Sequence, residues 1–151
     1  MKNNVWSIGT IGGIIATAVL KLITFVLTLI NLSTLTEIEY AVRFILYIPG
    51  KEMETMFWVI GILTNFSLGA IFGVLTAYLY RYTGKEDKYY KIAGIGVALW
   101  FFHLAIVPFL DPTVEKFSTA SVAIEFYFSY LIWSFVASII ILKHLRFMDI
   151  D

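Results

Sequence analysis

Four long apolar stretches dominate this 151-residue sequence and restrict what it can fold into. A helix needs about 20 apolar residues to cross the hydrocarbon core of a bilayer, which is roughly 30 Å thick. Open sheets and loops cannot satisfy their backbone hydrogen-bonding groups in that core. The stretches that reach this length are about 5–32, 56–80, 92–110 and 122–142. The sequence therefore predicts an all-α integral membrane four-helix bundle, with residues 1–151 forming a single transmembrane domain.

The composition supports this class and limits the partners. The chain is 60% hydrophobic and 15% charged, whereas soluble domains are about 45–50% apolar and about 25% charged. Its formal net charge is zero, which argues against nucleic acid as a partner because phosphate binding needs an excess of basic groups. Cysteine is absent from the sequence, which excludes disulfides and thiolate sites. The partners expected are the lipid bilayer and either other membrane proteins or a second copy of the chain.

The orientation follows from the basic residues in the short segments that connect the spans. One face of the four-span arrangement carries the basic loop 81–91 and both tails. Its basic residues are Lys2, Arg81, Lys85, Lys88, Lys91, Lys143 and Arg146. On the other face, acidic residues outnumber basic ones. The sequence thus predicts a multi-pass protein of the cell membrane with both termini in the cytoplasm.

The first outer loop contains a further helical pattern, "TEIEYAVRFILYIPG". Thr36 followed three positions later by Glu39 is typical of a helix start, and Pro49 with Gly50 cannot continue a helix. Between them, apolar residues recur at helical spacing from Ile38 onward. This predicts a short amphipathic helix on the outer surface or over the end of the bundle. An ordinary loop helix packed on the spans fits the pattern at least as well.

Small residues at four-residue spacing predict how the spans pack. In lipid, helices associate where small residues allow close approach of their backbones. Gly9 with Gly13 and Gly69 with Gly73 form GxxxG pairs, and Gly94 with Ala98 forms a similar pair in the third span. We expect these pairs to serve packing within one chain rather than a dedicated dimer face, because GxxxG is common in spans of many kinds. A homodimer face is the alternative.

Four polar residues lie within the predicted spans: Lys21, Asn65, His103 and Glu125. At about 1.5 Å of rise per residue, all four fall in the outer half of the membrane. A charge near the bilayer centre costs about 2.5–3.5 kcal/mol even on the mildest scale. We therefore expect an intramembrane polar site in which Lys21 is charge-paired with Glu125. The structural alternatives are a plain ion pair for Lys21, solvation for Glu125, core packing for His103 and helix–helix hydrogen bonding for Asn65.

The sequence lacks the motifs of familiar catalysis. His103 and His144 would lie on opposite sides of the membrane, so they cannot share a metal, and no nucleotide-binding or hydrolase motif stands at a strand-to-helix turn. No catalytic, cofactor-binding or metal-binding residue is expected, and no cofactor. The expected function is that of a non-enzymatic accessory or interaction subunit. The alternative is a small transporter or channel subunit that uses the polar site around Lys21, and an enzyme using Glu125 and His103 is a weaker third hypothesis.

The third and fourth predicted spans contain the segments "YYKIAGIGVALWFFHLAIVPFLDP" and "FYFSYLIWSFVASIII". They combine a basic loop, a glycine-rich opening, a Leu-Trp pair, an apolar stretch that ends at a proline and a tyrosine-rich last span. In these features, carried by Gly94, Leu99, Trp100 and Pro108, the chain resembles the C-terminal half of a family of small bacterial membrane proteins, the YqhR-like proteins. This likeness covers about half of the chain. The resemblance implies a multi-span bacterial membrane protein and no particular activity.

Overall fold

The computed structural model describes residues 4–30, 36–46, 55–110 and 119–145, and these residues form helices and short turns without any strand. The elements are α1 (Val5–Leu29), α2 (Thr36–Ile45), α3 (Thr55–Thr83), α4 (Lys88–Phe101), a π-helical turn (Phe102–Ile106), α5 (Val107–Leu110) and α6 (Ala120–His144). Four helical stretches are long and apolar enough to cross a membrane: Val5–Leu29, Thr55–Thr83, Lys88–Phe109 and Ala120–His144. The predicted all-α fold with four helices long and apolar enough to span a membrane is confirmed.

The bounds of the spans differ from the predicted ones by a few residues. The third span begins at Lys88 rather than at residue 92, and the second extends to Thr83, because polar residues continue a helix beyond its apolar part. Some sequence-based predictions fall outside the described residues. They concern residues 31–32 at the end of the first predicted span, the basic residues Lys2 and Arg146, the helix stop at Pro49–Gly50 and the side chain of Thr36.

The closest helix contact joins α1 to α3 through their glycines. A Cβ atom built on Gly13 would lie 2.0 Å from the carbonyl oxygen of Gly69, and one built on Gly73 would lie 2.2 Å from the carbonyl oxygen of Gly9. No side chain fits at either position, so the two backbones are in direct contact. Both GxxxG pairs are thus used within a single chain, as small-residue packing in membranes requires.

Gly94, predicted with the packing glycines, instead faces outward. A Cβ built there would meet no atom within 4 Å, whereas one built on Gly96 would lie 2.8 Å from Leu131 Cδ2 on α6. The reason is the rotation of α4. Its buried residues are Ile92, Gly96 and Leu99, which share one helical face. Gly94 therefore lies on a different face, and Gly96 provides the close approach to α6.

The four spans make contact in the order α3, α1, α6, α4. Side-chain hydrogen bonds tie α6 to its neighbours. Trp133 Nε1 donates to Thr17 Oγ1 on α1 over 3.0 Å. Towards α4, Ser134 Oγ donates to the Ile92 carbonyl over 2.7 Å, and Trp100 Nε1 donates to the Ala123 carbonyl over 2.9 Å. α3 and α4 follow each other in sequence but do not pack closely. A groove therefore remains between them.

Helix α2 is wedged among the spans. On one side it packs on α3, where a Cβ at Gly61 would lie 2.7 Å from both Ile38 Cγ2 and Val42 Cγ2. On the other side the Tyr40 ring meets the Phe126 ring of α6 edge-on, with centroids 5.5 Å apart. α2 is therefore buried on more than one face, which differs from a surface helix with one face in water.

Two ends of the bundle can now be distinguished. The α2 side is the end where α1 finishes and α3 begins. The loop side carries the turn between α3 and α4, residues 84–87. The start of α1 and the end of α6 also lie on the loop side, since Val5 packs against a core that includes Tyr80 and Ile141.

A pair of alanine substitutions tests the glycine contact. Gly13→Ala should lower the thermal midpoint in detergent, because its methyl group would overlap the Gly69 carbonyl and force α1 and α3 apart. The matched control is Gly94→Ala, which has open space. The control should be neutral or stabilising by up to about 1 kcal/mol, since alanine favours helix more than glycine does. Equal midpoints for Gly13→Ala and the wild-type chain would contradict the described contact.

Candidate polar site beneath helix α2

The ion pair between Lys21 and Glu37 is the central feature of the site. Lys21 lies in α1, about 12 Å of helix rise before Leu29. Its ammonium group donates a hydrogen bond to Glu37 Oε2 on α2. The two side chains are 16% and 8% exposed, so most of the pair is shielded from solvent. An ammonium group left alone in hydrocarbon is costly, and the carboxylate brought in by α2 offsets that cost.

Two small cavities adjoin this pair, each of about 40 Å³. The first is bordered by Lys21 and the second by Glu37. Five residues from the surrounding helices line both cavities: Leu20, Asn65, Leu68, His103 and Tyr130. Polar side chains from α1, α2, α3, the π-helical turn and α6 therefore converge on one region in the α2 half of the bundle.

His103 lies between the two cavities and is only 5% exposed. Its Nδ1 atom is 2.8 Å from the carbonyl oxygen of Leu99, one turn earlier. A carbonyl oxygen can only accept, so Nδ1 carries a hydrogen and Nε2 is left as an acceptor in the neutral ring. The ring of Tyr130 stacks on the imidazole with centroids 4.8 Å apart and planes at 22°. The imidazole ring is thus held at one edge by the Leu99 carbonyl and on one face by the Tyr130 ring.

The π-helical turn explains how α2 is tied to this histidine. The Val107 N–H donates to the carbonyl of Phe102, rather than to that of His103 as in an α-helix. A π-helix would next use the N–H of residue 108, but Pro108 has none. The Tyr40 hydroxyl of α2 donates to the His103 carbonyl. A buried backbone acceptor that the helix leaves free is therefore satisfied by α2.

Asn65 contributes from α3. Its Nδ2 donates to the Gly61 carbonyl one turn earlier over 3.0 Å, and the side chain lines both cavities. This hydrogen bond fixes the amide against its own helix. The carboxamide oxygen is then on the side away from the Gly61 carbonyl and is available as an acceptor.

The structure brings together three of the four polar residues singled out in the sequence. Lys21, Asn65 and His103 border the same cavities, whereas Glu125 borders neither. The partner of Lys21 is Glu37 and not Glu125, which corrects the predicted pairing. α6 turns Phe126, Ser129 and Trp133 inward. Glu125 precedes Phe126 by one residue, or about 100° of helix rotation, so it lies to the side of this inward face.

Three residues of the site were not identified from the sequence: Glu37, Tyr40 and Tyr130. Glu37 and Tyr40 are three positions apart and so share a face of α2, next to the apolar face of Ile38 and Val42. When two adjoining faces of a helix both carry bulky or chemically active side chains, the pattern indicates a helix that is buried on several sides. This pattern could have identified Glu37 and Tyr40 in the sequence. Tyr130 lies among many aromatic residues of the last span, and nothing in its spacing distinguishes it.

The chemistry that this arrangement allows is limited by its size and charge. Among the described residues, no group of three or more His, Cys, Asp or Glu side chains is placed to hold a metal. The paired charges of Lys21 and Glu37 cancel, and cavities of this volume admit water rather than a larger substrate.

Comparison of the chain with protein-family models, with curated proteins and with solved structures gives no match. The likeness to the YqhR-like proteins therefore stays a prediction. The function has to be inferred from the geometry of the bundle.

A double-mutant cycle tests the ion pair. Lys21→Met should lower the free energy of unfolding by about 3–5 kcal/mol, because it leaves the Glu37 carboxylate buried without its partner. The double variant with Glu37→Gln should recover part of that loss, which equilibrium unfolding in mixed detergent micelles can measure. The matched control pairs Lys21→Met with Glu125→Gln. Its loss should equal the sum of the single losses, and coupling seen there but not with Glu37 would contradict the assigned partner.

A conservative substitution tests the link between α2 and the π-helical turn. Tyr40→Phe should destabilise the protein by about 1–3 kcal/mol, because the His103 carbonyl becomes a buried acceptor without a donor. The same measurement on Tyr89→Phe serves as the control, since Tyr89 is 69% exposed. Equal stabilities of the two variants would show that the Tyr40 hydroxyl does not support the fold.

Proposed function

We propose that this chain is a small non-enzymatic subunit of a membrane assembly and that it binds one transmembrane helix of a partner protein. It would lie in the cell membrane with the loop side, and so both termini, in the cytoplasm. The groove between α3 and α4 is the observation that carries this proposal. The basic residues around the α3–α4 turn support the orientation, because short cytoplasmic loops are enriched in Lys and Arg.

The groove has a volume of about 270 Å³. Its lining is apolar apart from one threonine: Phe72, Leu75, Thr76, Leu79, Ile95, Ala98, Leu99 and Phe102. Side-chain ridges of one helix pack into grooves of this kind on another. Along its edge, Ala98 and Gly94 lie one turn apart on α4, and both are exposed. Exposed small residues beside an apolar groove favour close approach of a further helix.

The alternative, a small transporter or channel subunit, draws its support from the polar site. A substrate passing from that site to the loop side would have to cross the packed core. There Ala16, Ala77, Ala137 and Ile141 have no exposed surface, and the cavities at the site are only about 40 Å³ each. These observations favour an interaction subunit over transport by a single copy.

Site-specific photocrosslinking in cells that naturally make the protein tests the proposal. A photoreactive residue at Ala98, inside the groove, should form a discrete adduct with one other membrane protein. The control position is Phe25, which is 53% exposed on α1 and does not line the groove. It should yield lipid adducts only.

A substitution in the groove adds a second criterion. Gly94→Leu should abolish the protein adduct at Ala98 while leaving the thermal midpoint unchanged, because its side chain extends into open space. Gly96→Leu would clash with Leu131 and should lower the thermal midpoint. Comparing the two variants therefore separates a loss of partner binding from a loss of folding. Lipid adducts alone at Ala98, or an adduct with a second copy of this chain, would contradict the proposal.

A further inference from the structure

We propose that the two cavities beneath α2 form a water-filled proton-binding site in which His103 Nε2 is the proton acceptor. The ligand is water together with a proton that it delivers. This inference rests on the geometry around His103 and not on the proposed function of the groove between α3 and α4, although Phe72 and Leu99 border both that groove and the first cavity.

The first step concerns the free edge of the imidazole. Nδ1 is held against the Leu99 carbonyl, so Nε2 is the ring nitrogen on the opposite edge. Within the described part of the chain, Nε2 has no protein hydrogen-bond partner, although the residue is 5% exposed and borders both cavities. Nε2 is not among the described side-chain atoms that are both completely enclosed and unpartnered, which are the Tyr80 and Ser138 hydroxyl oxygens. It therefore faces a space that a water molecule can enter, and water in the cavities is the donor that this space allows.

The second step concerns the capacity of the cavities. A water molecule needs about 10–15 Å³ of such volume and about three polar partners. Each cavity of about 40 Å³ exceeds this minimum and therefore has room for at least one molecule. The partners around them are His103 Nε2, the Tyr130 hydroxyl, the Asn65 carboxamide and the charged groups of Lys21 and Glu37. Apolar cavities stay dry, but one lined in this way holds water.

The third step concerns the charges that face the imidazole. Each packed element supplies its own groups: the Lys21 ammonium from α1, the Glu37 carboxylate and the Tyr40 phenol from α2, the neutral Asn65 amide from α3, and the Tyr130 phenol from α6. Glu37 is the negative charge among them. The Tyr130 ring, stacked 4.8 Å from the imidazole, adds a cation–π contact to the protonated form.

The proton step balances as a simple transfer. A protonated water molecule gives its proton to Nε2, a new N–H bond forms, and a neutral water remains in the cavity. The resulting imidazolium borders the same cavity as the Glu37 carboxylate, which is already paired with Lys21. Binding of a proton is therefore linked to the contact that holds α2 against α1.

Nuclear magnetic resonance of the full chain in lipid nanodiscs tests the inference. The sequence has two histidines, so His144→Gln leaves His103 as the sole imidazole that can be labelled with nitrogen-15. Near neutral pH we expect the Nδ1–H tautomer with magnetisation transfer from water to the ring. At about pH 4, below the ordinary titration range of histidine, we expect an N–H bond at Nε2 as well.

Two further variants separate this result from a general effect of acid. Leu68→Phe should fill the cavities that Leu68 borders and so remove the water signal and the protonation, while the Nδ1–H tautomer stays. Glu39→Gln, on α2 but paired with Arg43 outside the cavities, should change nothing. Three results, each measured without the Leu68→Phe substitution, would overturn the proposal. They are an Nε2–H tautomer near neutral pH, no magnetisation transfer from water to the ring, and a ring that stays neutral at about pH 4.

Discussion

The contact between the Lys21 ammonium and the Glu37 carboxylate decides where α2 lies and, through it, the shape of the α2 side of the bundle. A charge buried in a span needs a counter-charge, and among the described residues Glu37 of α2 is the carboxylate that pairs with Lys21. The linker segment supplies it by folding back between α3 and α6. The ion pair thus places α2 in the core, and α2 closes one of the two cavities around His103 through Glu37, Tyr40 and Ala41.

Lys21 does not hold α2 alone. Pro108 and the π-helical turn leave the His103 carbonyl without a backbone donor, and the Tyr40 hydroxyl supplies one. Gly61 provides the space for Ile38 and Val42 on the other side. The buried charge of Lys21, the unpaired His103 carbonyl and the space beside Gly61 would each be unfavourable alone. A contact with α2 compensates for each of them. Such mutual dependence is the way in which a short helix of ten residues acquires a defined position that its own propensity would not give it.

The spans were predictable because lipid imposes a length and an apolar composition that can be read directly from residues. The role of Lys21 as a buried charge was predictable for the same reason. Its partner was not, since Glu37 lies in a short acidic loop where a charged side chain is ordinarily solvated, and its burial depends on contacts between distant segments. Gly94 and Gly96 show a similar limit. They differ by about 200° of helix rotation, and the sequence of α4 does not state which side faces α6.

The glycine contact between α1 and α3 has a mechanical consequence. With carbonyl oxygens filling the space where side chains would be, the two helices cannot rotate about their axes or slide past each other without collision, so they form a single rigid body. α2 touches that body through its backbone as well, because a Cβ atom built on Gly61 of α3 would lie 2.7 Å from the carbonyl oxygen of Ile38. The close backbone approach of α4 is instead to α6, where a Cβ built on Gly96 would lie 3.1 Å from Leu131 Cα. We therefore expect the bundle to deform mainly where α4 faces α3.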